Sequence, residues 1–139
     1  MLRQSSTILP IRAGRPGLHE ITSEVARFVS SSGIDEGLLT LFCRHTSASL
    51  LIHENAAPAA RRDTEAFFAA LAPESARYEH EDEGPDDMPA HLRTALTATQ
   101  LSIPVMQGRL ALGTWQGIFL FEHRRSPHER EIAVHLMGE

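Results

Sequence analysis

A chain of 139 residues, 42% hydrophobic and 22% charged, has the size and composition of one globular domain and is neither disordered nor fibrous. Its formal net charge of -5, with no basic stripe interleaved with aromatics, argues against nucleic acid as a partner. No apolar run is long enough to span a bilayer, MLRQSSTILPIR lacks the apolar core of a signal peptide, and the lone Cys43 suits a buried thiol in a reducing compartment; the expected location is the cytoplasm, with no membrane partner.

In chain order, Ser6 to Ile11 reads as an edge strand, because Pro10 has no N–H for a ladder bond. A helix follows, with Thr22 or Ser23 as its cap, Val25, Phe28 and Val29 at helical spacing, and Gly33 as its terminator. Gly37 to Cys43 reads as a buried strand; the polar tetrad Arg44-His45-Thr46-Ser47 interrupts the apolar pattern before Leu50-Leu51-Ile52 resumes it. Pro58 suits the first turn of a second helix with Ala60, Thr64, Phe67, Phe68 and Leu71 on one side and Asp63 at the margin of that face. Tyr78 to Asp87 is acidic and irregular, and Asp87 caps a third helix whose apolar face is Leu92, Ala95, Leu96 and Thr99. Extended segments follow at Leu101 to Met106, Leu110 to Leu112 and Ile118 to Phe121, and a final strand from Glu131 to Leu136 turns Ile132, Val134 and Leu136 to one face. Runs of strands separated by about three helices predict a single α+β domain over residues 1–139 with a largely antiparallel sheet.

Eight histidines against one Tyr and one Trp point to a site, since imidazole titrates near neutrality and ligates metals. His45-Thr46-Ser47-Ala48-Ser49 sets one imidazole and three hydroxyls between core segments, where they either bind phosphate or satisfy local backbone, the second being commoner. His80 and His91 flank the acidic stretch, but a gap of eleven without paired ligands is no compact zinc signature. Glu122 shares a strand face with Ile118 and Leu120, so if that face is buried the carboxylate needs a cationic or hydrogen-bonding partner. Arg124, Arg125 and Arg130 could hold a phosphorylated substrate or be ordinary surface arginines.

Taken together, HTSASLLIHEN, RRD, YEH, DDMPAHL, IPV, GRLALGTWQGIFLFEH and PHER resemble the YjbQ-type family across the whole chain. The resemblance implies a homotrimer with a site near subunit contacts and a secondary thiamine-phosphate-synthase activity, which joins a hydroxymethylpyrimidine diphosphate to a thiazole phosphate and releases pyrophosphate. The matching positions include His45, Glu122 and Asp63 as catalytic residues and Thr46, Ser47, Glu54, Asn55, Thr114, Trp115, Gln116 and Arg130 as contacts to a small phosphorylated metabolite. His45, His80 and His91 are expected to converge on a divalent metal such as zinc. The chain departs from the family where many members carry Asn-Ala-Asp-Ala-His in place of Asp87 to His91, and Asp-Gly-Pro-Arg near Arg124 to His128. The alternatives are a zinc-type hydrolase and a non-catalytic trimeric metal-binding protein.

Overall fold

A computed structural model describes all 139 residues. Alternating side chains build its first layer: Leu39, Leu41 and Cys43 of β3 (Gly37–Cys43) are buried, while Leu38 and Phe42 on the other face are exposed. The buried strand expected over Gly37 to Cys43 is present, with its burial confined to one face. Strand β8 (His128–Gly138) pairs antiparallel with β3 on one side and with the edge strand β1 (Arg3–Ala13) on the other, turning Arg130, Ile132, Val134 and Leu136 inward. Beyond β3 lie β5 (Gln100–Met106) and the short β6 (Arg109–Leu110), giving a five-stranded sheet in the order β1-β8-β3-β5-β6. Gln107 and Gly108 both take positive φ (54° and 75°), as a two-residue hairpin requires.

The second sheet has the order β2-β7-β4, formed by β2 (Gly17–Glu20), β7 (Gln116–Glu122) and β4 (Ala48–Glu54), again antiparallel throughout. Strand β2 has too few residues to show a period and was not anticipated. In β7, Ile118 and Leu120 join the main core with Leu39, Leu41, Ile132 and helix α1 (Thr22–Ser32). Phe119 and Phe121 point the other way, into a smaller cluster with Leu18, Leu51 and Phe68 of α2 (Pro58–Leu71). The central strand of this sheet is thus buried on both faces, between the larger sheet and α2. The apolar IFLF run is consumed within the chain and supplies no surface for a subunit contact.

Helix α2 turns Ala60, Thr64 and Phe68 inward as expected but not the rest of the predicted face, and α3 (Asp87–Leu96) buries a different set of residues. Phe67 and Leu71 of α2 are exposed, while Thr64, Glu65 and Phe68 turn inward. In α3 the buried positions are Asp87, Pro89, Ala90 and Thr94, whereas Ala95 and Leu96 are exposed. A helix that covers a polar site follows the placement of its hydrogen-bonding groups rather than apolar count. Asp87 lies in the first turn and its side chain caps nothing. Gly33 does end α1 in the left-handed conformation, at φ 70°. No helix is long and apolar enough to cross a membrane.

Candidate functional site

The first turn of α3 places Asp87 and His91 four residues apart on one helix face, and the irregular acidic segment before it brings His80 to the same point. Both imidazoles approach one carboxylate oxygen: His80 Nε2 lies 2.9 Å and His91 Nε2 3.1 Å from Asp87 Oδ2. Asp87 Oδ1 meanwhile accepts from Arg124 Nη1 at 3.0 Å, and Arg124 Nε donates to Asp86 Oδ2 at 3.0 Å. Burial alone would raise the Asp87 carboxyl; the His80 hydrogen bond and the charges of His91 and Arg124 outweigh it and hold the group below the usual carboxylate range.

The tautomer of His91 constrains what this cluster does. Its Nδ1 is 2.8 Å from the Thr46 carbonyl oxygen, an acceptor only, so Nδ1 carries a proton. In the neutral ring Nε2 then presents a lone pair to a carboxylate oxygen, an arrangement that becomes favourable when a second proton or a cation lies between them. One donor atom each from His80, Asp87 and His91 falls within a mutual 4.8 Å, and tetrahedral zinc with bonds of roughly 2.0–2.1 Å separates its ligand atoms by about 3.3 Å. Two imidazole nitrogens and a carboxylate oxygen are a donor set that fits zinc or a similar divalent ion. The carbonyl behind His91 and the arginine behind Asp87 are the outer contacts that orient such ligands.

Asp87, rather than His45, supplies the third donor, which corrects the expected His45-His80-His91 set. The ring of His45 stands across a cleft of about 610 Å³ from His91, with Thr46, Thr94, Thr97 and Thr99 along its walls. Its Nε2 accepts from the Glu131 backbone N–H at 2.7 Å, so that nitrogen is unavailable to a metal and the proton of the neutral ring sits on Nδ1. Burial, reinforced by the nearby Arg130 charge, lowers the His45 imidazole below its ordinary value. A neighbouring stretch of the same surface is lined by His45, Thr46, Ser47, Thr99 and Arg130.

Beneath this cleft the two sheets are joined by a buried ion pair. Glu122 and Arg130 are 1% and 4% exposed, and Arg130 Nε donates to Glu122 Oε1 at 2.7 Å while its Nη2 contacts Glu122 Oε2. Glu122 Oε2 also accepts from the amides of His123 and Arg124, and Arg130 Nη2 donates to the Ser47 carbonyl and hydroxyl oxygens. The expected burial of Glu122 and its pairing with Arg130 are present. Both carboxylate oxygens are engaged, and Nη1 is the one uncommitted nitrogen of Arg130. Arg124 and Arg125 are likewise tied to Asp86, Asp87 and Glu74 instead of standing free for phosphate.

The remaining expected residues lie elsewhere. Ala48 pairs with Glu122 at one end of the β4–β7 ladder and Glu54 with Gln116 at the other, six residues and about 20 Å away. At that far end Glu54 accepts from the Ala57 amide, Asn55 bonds Glu20, Gln116 accepts from the Gly113 amide, and Thr114 and Trp115 are exposed. Asp63 is exposed on α2 with no hydrogen-bond or ion-pair partner. Within one subunit these residues do not meet the histidine cleft. Asp87, the three cleft threonines 94, 97 and 99, and His123 were missed as site residues; the Asp87–His91 spacing of four on a helix was the one legible signal.

The family model described as UPF0047 protein YjbQ-like matches residues 7–139. The chain belongs to the YjbQ family. A UPF0047 protein of Synechocystis sp. is 54% identical over 138 residues, covering 99% of this chain and 94% of that protein. The YjbQ protein of Salmonella typhimurium is 47% identical over 124 residues, covering 88% and 90%. Among solved structures, a YbjQ-like protein from Sulfolobus solfataricus superposes with a TM-score of 0.88 at 27% identity over 99% of this chain and all of that one. A YjbQ/UPF0047 protein from Clostridium acetobutylicum gives 0.85 at 32%, covering 92% and 97%. The two-sheet arrangement described above is thus the YjbQ fold.

Proposed function

We propose that this YjbQ protein is a divalent-metal-assisted enzyme acting on phosphorylated small molecules, with the reaction of a thiamine-phosphate synthase as its chemistry. The observation that carries the reading is the approach of two imidazole nitrogens and a carboxylate oxygen to one point beside a hydroxyl-lined cleft. His80, Asp87 and His91 would hold a divalent ion, which when bound would supply Lewis-acid neutralisation of diphosphate charge. Thr46 and Thr99 offer cleft-lining hydroxyls to phosphate oxygens, and His45, fixed by the Glu131 amide, offers Nδ1–H as a hydrogen-bond donor to the leaving group. The C–O bond at the pyrimidine methylene breaks with its electron pair going to pyrophosphate, and the thiazole nitrogen forms the new C–N bond. A cytoplasmic location agrees with this substrate class and with the reduced, buried Cys43.

A zinc-type hydrolase is the second reading, favoured by a three-donor set that leaves coordination positions open. Pyrophosphate release separates the two: synthase chemistry requires both substrates, whereas hydrolysis proceeds with the diphosphate alone. Untagged protein is expected to carry about one zinc or similar ion per chain, and Asp87→Asn to lower its affinity by about a hundredfold or more, beyond the loss typical of outer-shell contacts. Because protons compete with metal for imidazole nitrogens, affinity should weaken on acidification. Metal-free protein that takes up no ion on titration, or Asp87→Asn binding like the parent, would overturn the metal reading.

The separation of Trp115 and Gln116 from the histidine cleft makes a homotrimer part of the same proposal, with a second copy bringing its exposed Thr114-Trp115-Gln116 turn to the first copy's site. The outer face of the five-stranded sheet, where exposed Leu38 lies beside Met137 and Pro104 and Phe42 follows four residues on, offers apolar surface for association. Light scattering is expected to give three times the 15.4 kDa chain mass. A monomer mass at micromolar concentration would refute it.

A further inference from the structure

Four arginines are sheltered from solvent: Arg61, Arg93, Arg124 and Arg130. Three have carboxylate partners, in Glu20, in Asp86 with Asp87, and in Glu122. Arg93 has none. Its Nη2 donates to the Ala72 carbonyl at 2.7 Å, its Nε is buried without a partner, and Nη1 is uncommitted. Glu74 and Asp86 act on it only from beyond ion-pair distance, so a sheltered guanidinium with an unbonded Nε would gain from an anion in direct contact.

Arg93 lines a crevice of about 250 Å³ together with Glu65, Phe68 and Ala69 of α2, Phe121 of β7, His123 just beyond that strand, and Glu122, whose charge Arg130 neutralises. Lying two residues after His91, it projects about 200° around α3 from the metal-type cluster, so this crevice is a different place from the cleft. His123, 2% exposed, forms part of the same wall and has a second orphan: its Nδ1 has no partner, while its Nε2 lies 3.0 Å from Ser49 Oγ, itself 2.6 Å from Thr97 Oγ1. Those two hydroxyls can run their hydrogen bonds in either direction, so the imidazole proton can sit on either nitrogen. With the Ser49 hydroxyl donating to Nε2, Nδ1–H becomes a second donor beside Arg93. Phe68 and Phe121, edge to face at 5.5 Å, supply an apolar wall. Glu65, held to the Leu18 amide at 2.7 Å, puts a negative charge at the mouth and disfavours a ligand with more than one anionic charge.

We propose that this crevice binds a small organic monocarboxylate, its carboxylate on Arg93 and its apolar body against Phe68 and Phe121. Phenylacetate is the probe, followed by amide shifts in ¹⁵N-labelled protein, with benzylamine as the same shape of opposite charge and inorganic phosphate as an anion without an apolar body. Phenylacetate should give saturable shifts around Arg93, Ala69 and Phe121 with a Kd on the order of 1 mM or below, and the two controls should give none there. Arg93→Gln should weaken binding at least tenfold. Ala69→Phe fills the crevice from an exposed helix position, keeps Arg93, and should abolish the shifts even if Arg93→Gln proves unstable. Phosphate or benzylamine matching phenylacetate, phenylacetate failing to saturate, or Ala69→Phe binding like the parent would each overturn the proposal. Removing metal with a chelator should leave phenylacetate binding unchanged, which keeps this result separate from the fate of the metal site.

Discussion

Glu122→Gln is expected to destabilise the fold by about 3–5 kcal/mol, the range for removing one partner of a buried ion pair. The change keeps volume but removes the charge that neutralises Arg130, a side chain 4% exposed and wedged between the two sheets. Glutamine also replaces one acceptor oxygen with an NH₂ group, which would face either Arg130 or the backbone amides of His123 and Arg124 that now donate to Oε2. Two like-polarity groups would then meet in the core. Urea denaturation gives the size of the loss, and a double variant isolates its cause: Glu122→Leu with Arg130→Met should recover much of what either single change removes, because the pair's desolvation penalty disappears with it. Activity per folded molecule should fall less than stability, since neither carboxylate oxygen is free for substrate. Wild-type urea unfolding in Glu122→Gln would show that the pair contributes nothing.

The second large effect is a pH dependence carried by His123. Burial, aided by the charges of Arg93 and Arg130, pushes its imidazole down to about 3 from an ordinary 6.5. The folded protein therefore holds the ring neutral where the unfolded chain would protonate it. Below about pH 6.5 the unfolded state binds the extra proton, so stability is full above that value and declines by about 1.4 kcal/mol per pH unit as pH falls toward 3. From pH 7 to pH 5 the expected loss from this group is about 2 kcal/mol. The low folded values of Asp86 and Asp87 act only in more acid solution, because their stabilisation is present above the unfolded carboxyl range and is lost as pH falls through the folded one. His45, also held below its ordinary value, acts in the same direction between pH 5 and 7, so the difference between urea midpoints of the parent and of His123→Gln isolates His123, and the variant should flatten the larger part of that profile. An unchanged slope in the variant would assign the dependence to other groups.

Much of the chain's local structure was legible from residue pattern alone. Pro10 marked the edge strand, Gly33 the end of α1 and Pro58 the start of α2, because each acts through its own backbone and needs no distant partner. The alternation of Ile132, Val134 and Leu136 fixed the inward face of β8, and the position of Glu122 after Ile118 and Leu120 foretold its burial. What the pattern could not show was which layer lay on the other side. Strand β7 is buried on both faces because α2 covers its second one, and α3 buries Asp87 and Thr94 instead of Leu96 because it closes over a polar cleft. The metal-type cluster shows the same division. His80 and His91 stand out by residue type, but the pattern presents Asp87 as a helix cap and His45 as a ligand, whereas the Glu131 amide, 86 residues along the chain, occupies His45 Nε2. Sequence determines which groups can donate, accept or ionise; which of them face each other depends on contacts between segments far apart in the chain, and those are decided only when the two sheets and α3 come together.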